Sequence, residues 1–171
     1  SIPTQPNGTQ ERLLPRTPTR TTHAQTSATM SGVLPTDQCR EEFFKMKNKR
    51  AYKFITFKIN KEEGKTTTTE VLEVHKKEDA FDFKMVLDRL PADEPRYVVM
   101  DWEVENADGC KLSKIFFISW VPDTCKPQTK MLYASSKLAL RNALEGCHLD
   151  YQATDYDDLT PEEFNIRALG K

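Results

Sequence analysis

Two continuously apolar runs limit what this chain can fold into: Tyr97-Val98-Val99-Met100 and Ile115-Phe116-Phe117-Ile118-Ser119-Trp120. A strand with one face in water alternates apolar and polar residues. A strand that is apolar at successive positions needs cover on both faces. Both runs are short and rich in aromatic and β-branched residues, which favours strands over buried helices. Asn106-Ala107-Asp108-Gly109 lies between them, and its Asp-Gly step signals a turn. The pair predicts the middle of a sheet with helices above and below it.

The flanking pattern agrees. Asp37, Glu41 and Glu42 precede Lys47, Lys49 and Arg50, the charge order that suits a helix dipole, and a helix is expected over 36–50. Tyr52–Ile59 reads as a strand, Glu62-Glu63-Gly64-Lys65 as a turn, and Thr66–His75 as a second strand with Val71 and Val74 inward. Asp79 is the expected cap of a helix whose face carries Phe83, Val86, Leu87 and Leu90, ended by Pro91. A long helix is expected over 128–145, stopped by Gly146. Thr160-Pro161-Glu162-Glu163 has the cap, first-turn proline and returning glutamate of a capping box. The resulting order, αββαββα(β)α, predicts an α/β (α+β) chain. Its central mixed sheet of about five strands is sandwiched by helices.

The 171 residues fit one domain of roughly 100–200 residues with a tail. Residues 1–29 are the expected tail. They hold Pro3, Pro6, Pro15 and Pro18, many Ser and Thr, and few apolar residues. Such a segment cannot bury enough surface to offset its ordering entropy, so it is expected to be a disordered extension. Arg12, Arg16 and Arg20 against Glu11 give it a charge of 3 − 1 = +2. The domain is expected over 30–171.

Several function classes are disfavoured. A net charge of −1 and no aromatic-basic motif argue against a nucleic-acid module. The three histidines, His23, His75 and His148, are scattered. No Gly-rich phosphate loop, GxSxG elbow or paired metal-ligand spacing is present, so no catalytic residue, metal or cofactor is expected. Cys39, Cys110, Cys125 and Cys147 form no CxxC pair and read as reduced thiols serving as small hydrophobes.

The long helix is the most informative stretch. At about 100° per residue, Leu132, Tyr133, Ser136, Ala139, Leu140, Ala143, Leu144 and Cys147 share one wide arc, the expected core face. Lys130, Lys137 and Arg141 align within about 20° of one line, read as a cationic stripe opposite the core. Met131 and Leu138 fall about 80–100° from that stripe, outside the core arc. An apolar pair flanked by cations has the composition of a binding surface. The alternative is a solvated face with two exposed hydrophobes.

Lys130-Met131-Leu132-Tyr133-Ala134-Ser135-Ser136-Lys137 resembles the signature of the actin-depolymerising factor (ADF)/cofilin family. Further matches follow in order: Ser31-Gly32-Val33, Tyr52-Lys53-Phe54-Ile55, Ser113-Lys114-Ile115, Trp120-Val121-Pro122-Asp123-Thr124 and Gln152-Ala153-Thr154-Asp155. The resemblance spans about 30–171. It implies the ADF-homology (gelsolin-like) fold. It implies binding to actin monomers and filaments with preference for the ADP form, and filament severing and depolymerisation without covalent chemistry. By this likeness the monomer and filament contacts are Ser31, Gly32, Val33, Lys130, Met131, Lys137, Leu138 and Arg141, and the filament-specific ones Lys114 and Arg167. Lys130, Lys137 and Arg141 would also hold phosphoinositide headgroups, and Ser31 would be a regulatory phosphorylation site. The resemblance further implies a monomer in the cytoplasm and actin cytoskeleton. The interrupted basic run Lys45–Arg50 raises the nucleus as a second location. Leu112, Gln128, Asn142 and Ile166 depart from the family's charged positions, mostly on the filament side. The alternative is a related module of the coactosin or glia maturation factor type, binding filaments or a nucleation complex without depolymerising actin.

Overall fold

The computed structural model describes residues 32–171 together with Pro3. The expected tail at 1–29, Pro3 apart, and Ser31 lie outside the described residues. The elements are β1 (Leu34–Pro35), α1 (Asp37–Lys49), β2 (Tyr52–Asn60), β3 (Thr68–Lys76), α2 (Phe83–Asp88), β4 (Arg96–Glu105), β5 (Lys111–Trp120), α3 (Pro127–Ala143), β6 (Leu149–Ala153) and α4 (Pro161–Ala168), with a 3₁₀ turn at Tyr156–Asp158 before α4.

The strands form one mixed sheet in the order β1-β3-β2-β4-β5-β6. It has six strands rather than about five, because Leu34–Pro35 pairs in parallel with Thr68–Thr69 at one edge. At the centre, β4 and β5 run antiparallel from Arg96↔Trp120 to Glu105↔Lys111. Their loop is closed by Asn106, whose side-chain oxygen accepts from the backbone N–H groups of Asp108 (3.0 Å) and Cys110 (2.9 Å). Gly109 takes φ +77° there, a left-handed conformation that other residues enter at a cost.

The continuous apolar runs are read out with a period of two. Tyr97, Val99, Ile115 and Phe117 point to the face covered by α1 and α3, where they meet Phe43, Met46, Tyr133, Leu140 and Leu144. Val98, Met100, Phe116 and Ile118 point to the other face, against Val86, Leu90, Phe164 and Ala168 around α2 and α4. The two-sided burial that the runs demanded is therefore met by helix pairs on opposite faces.

Local expectations differ at two points. Asp82, not Asp79, caps α2, accepting from the Lys84 N–H at 3.1 Å. Asp79 is held in a turn by its own N–H to the Lys76 carbonyl, 3.2 Å, while Phe81 packs against Phe54 and His75 before the helix begins. The capping box at Thr160 forms only one half: Thr160 accepts from the Glu163 N–H, and the Glu163 carboxylate lies 4.0 Å from Arg167 instead. A complete box occurs at Asp155 and Asp158, on the 3₁₀ turn.

Candidate functional site

α3 begins at Pro127, where a fixed φ and a missing N–H cost nothing in a first turn. Its inner side is fastened to the sheet by more than apolar contact. The Tyr133 hydroxyl accepts the Ile59 N–H at 3.0 Å, and the Tyr133 carbonyl accepts the Tyr97 hydroxyl. Burial raises the Tyr133 hydroxyl above the usual phenol range, so it stays a neutral bonding group. Ser136, also buried, turns its hydroxyl back to the Leu132 carbonyl at 2.6 Å.

The opposite side is open. Met131 is 71% exposed and Leu138 59% exposed, with exposed Ala134 and Ser135 between them. Ser135 returns its hydroxyl to the Met131 carbonyl at 2.8 Å, so it adds little outward polarity. This apolar crest stands diametrically opposite the core. The cations do not. They sit about a quarter-turn round the helix and are half-buried against the ends of β5 and β6. The expected stripe opposite the core is thus a flank, and the place opposite the core belongs to Met131 and Leu138.

The three cations also differ from one another. Lys130 lies 3.6 Å from an Asp123 carboxylate that is itself largely in water, a weak tie. Lys137 has no ion pair among the described residues. Arg141 is committed: its Nε is 2.6 Å from Asp150, and Nη2 donates to the Cys147 carbonyl at 2.9 Å. Arg141 pins the end of α3 to the start of β6 and is not a free cation. Lys130, Ala134 and Lys137 instead form one wall of a groove whose other walls are Ser119, Val121, Gln152 and Thr154. Sequence reasoning did not single out those four as site residues. Their place beside the lysines depends on β5 and β6 lying parallel, which no local pattern encodes.

The remaining expected site residues are distributed elsewhere. Gly32 is exposed at φ +67°. Val33, expected in the contact set, is 1% exposed and packed into the core beneath α1 and α3. Its side chain anchors the chain before β1 and presents nothing outward. Lys114 pairs across from Trp102 and shares the parity of Phe116, so it leans to the α4 face. Arg167 lies on α4 with its guanidinium 4.7 Å over the Tyr151 ring. These two therefore belong to the opposite face from the α3 crest. Among the described residues no group of three or more His, Cys, Asp or Glu could hold a metal ion.

Comparison with known proteins agrees with this architecture. Residues 32–168 match the family described as cofilin/tropomyosin-type actin-binding protein. The chain is 39% identical over 143 residues to actin-depolymerizing factor 1 of Oryza sativa subsp. japonica, covering 84% of this chain and 99% of that one. It is 42% identical over 138 residues to actin-depolymerizing factor 5 of Arabidopsis thaliana, covering 81% and 93%. Among solved structures, Streptomyces griseoflavus cofilin superposes with a TM-score of 0.71 at 37% identity, over 80% of this chain and 97% of that one. Plasmodium berghei actin depolymerization factor 2 gives 0.71 at 28% identity, over 82% and 98%. With the six-stranded sheet, its helix pairs and the matched span in agreement, the chain belongs to the ADF/cofilin family.

Proposed function

We propose that this protein binds actin monomers and filaments and promotes filament disassembly, acting by binding rather than by covalent chemistry. The single observation that carries the reading is the α3 crest, where Met131 and Leu138 stand exposed on a helix otherwise fastened to the core. Exposed apolar side chains on a rigid support make good anchors, because little ordering entropy remains to be lost on binding. Lys130 and Lys137 beside them supply register toward an acidic partner surface. Arg141 acts through position, holding the end of the helix.

Disassembly follows if the protein binds a twisted filament more tightly than the standard one, since only differential affinity shifts a conformational population. Severing and preference for ADP-actin belong to this reading, as does a filament contact through Lys114 and Arg167. Phosphoinositide headgroups would compete for the lysine flank. Phosphorylation of Ser31 would add about −1.5 to −2 charges beside an acidic partner and weaken binding. The reading places a monomeric protein in the cytoplasm on the actin cytoskeleton.

The test is filament cosedimentation with a dilution-induced disassembly assay, run beside nucleotide exchange on actin monomers. Faster disassembly and slowed exchange are expected. Disassembly no faster than that of actin alone overturns the depolymerising role, and unchanged exchange overturns monomer binding.

A further inference from the structure

α1 and the C-terminal half of α3 lie on the same face of the sheet. Between them runs a groove of about 400 Å³ lined by Arg40, Phe43, Phe44, Lys47, Asn142 and Glu145. Phe43 faces inward and is buried, whereas Phe44, the next residue, is 59% exposed. More than half of this ring's surface is thus left in water by the fold. Arg40 and Lys47 stand four before and three after Phe44, on the same helical stripe. Lys45 and Lys49 flank its other side.

The charges here are only partly compensated within the chain. Glu42 is taken by Lys45 at 2.8 Å. Arg40 and Lys49 have no ion pair among the described residues. Lys47 donates to the Glu145 backbone carbonyl at 3.2 Å and leaves that carboxylate unpaired with it. Lys47 is held across Gly146, where an added Cβ would meet its Nζ at 2.5 Å. Glu41 beside Lys45 and Lys49 and the Glu145 carboxylate in the groove offset part of this charge, and Arg40 and Lys47 remain as its cationic wall beside an exposed ring.

We infer that this groove docks an acidic peptide segment of a partner protein, with an apolar side chain laid against Phe44 and carboxylates directed to Arg40 and Lys47. The chain's own N-terminal segment is the wrong occupant, because its net charge of +2 (Arg12, Arg16 and Arg20 against Glu11) opposes the wall. A bilayer is also disfavoured, since interfacial helices present a broad apolar face, whereas α1 offers one ring beside a concave groove. The groove starts at Asn142, about one turn past Leu138, so its occupant would neighbour a partner seated on the α3 crest without displacing it.

The test titrates the full-length ¹⁵N-labelled chain with an acidic probe peptide of about twelve residues, mostly Asp and Glu around a central Leu-Trp pair. A lysine-substituted peptide and phosphatidylserine-containing vesicles serve as the other arms. Resonance shifts at Arg40, Phe44, Lys47, Asn142 and Glu145 are expected with the acidic peptide alone, weakening with salt. Phe44→Ala and Arg40→Glu, both at exposed positions, should each weaken binding by about tenfold. Shifts absent from these residues, or parent-like affinity in both variants, overturn the inference. Vesicle binding that depends on Phe44, without peptide binding, overturns it in favour of a membrane face.

Discussion

The hydroxyl of Tyr133 on α3 accepts the backbone N–H of Ile59 on β2 at 3.0 Å. Ile59 lies beyond the last β2–β4 pair, Phe57↔Tyr97, so a side chain from the helix supplies what the neighbouring strand does not. One residue therefore fixes the height of α3 over the sheet, and with it the position of the crest. Tyr133→Phe removes the acceptor and keeps the ring. The stranded N–H should cost about 1–3 kcal/mol, lowering the thermal midpoint by several degrees in a circular-dichroism melt.

Met131→Ala with Leu138→Ala should behave in the opposite way. Both side chains are exposed, so stability should change by no more than about 0.5 kcal/mol per site. Affinity for actin monomers, read by nucleotide exchange, should fall by at least about tenfold. A double variant that melts like the parent and binds as tightly would show that the crest is not the contact.

Arg141 and Lys137 separate a structural cation from a free one. Arg141→Ala loses the Asp150 pair and the bond to the Cys147 carbonyl and should cost about 1 kcal/mol. Lys137→Ala should leave the melting curve unchanged, raise the dissociation constant of the actin complex and lower its salt sensitivity. Equal effects of the two on stability would contradict the assignment.

His148 gives stability a pH dependence whose sign is fixed. Burial, then the nearby Lys114, push its pKa below the ordinary 6.5, with Lys47 and Arg141 adding to the effect against the opposing Asp101. Its Nδ1 accepts the Ile115 N–H at 2.8 Å, which requires the neutral ring. The unfolded chain therefore binds this proton more readily than the folded one. The contribution is fully present above pH 6.5 and is lost as pH falls through the lowered value. An NMR titration should place the His148 midpoint below 6.5, and His148→Gln should flatten the stability profile between about pH 5 and 7. A midpoint above the ordinary value would sink this account.

Gly146→Ala probes the wall of the α1–α3 groove. The position has φ +110°, and the new methyl would push Lys47 off the Glu145 carbonyl. A loss of about 1–3 kcal/mol is expected from backbone strain, checked by denaturant unfolding, with larger resonance shifts in the Lys47 segment than in α4.

Much of the fold and part of the site were legible in the residues. The apolar runs at Tyr97–Met100 and Ile115–Trp120 demanded two-sided cover, because a strand exposes successive side chains to opposite faces. The helical period separated Met131 and Leu138 from Leu140 and Leu144 for an equally local reason: about 100° of rotation per residue follows from backbone geometry alone. What needed the tertiary structure was every relation between residues far apart in sequence. Val33 is part of the core because α1 and α3 close over it. Arg141 is a fastener because β6 begins where Asp150 can reach it. The shift of the α2 cap to Asp82 followed from Phe81 packing on Phe54 and His75. A sequence states which face of an element is apolar. Which partner neutralises a given charge is set by the order in which strands assemble, and that is decided by the packing energy of the whole chain.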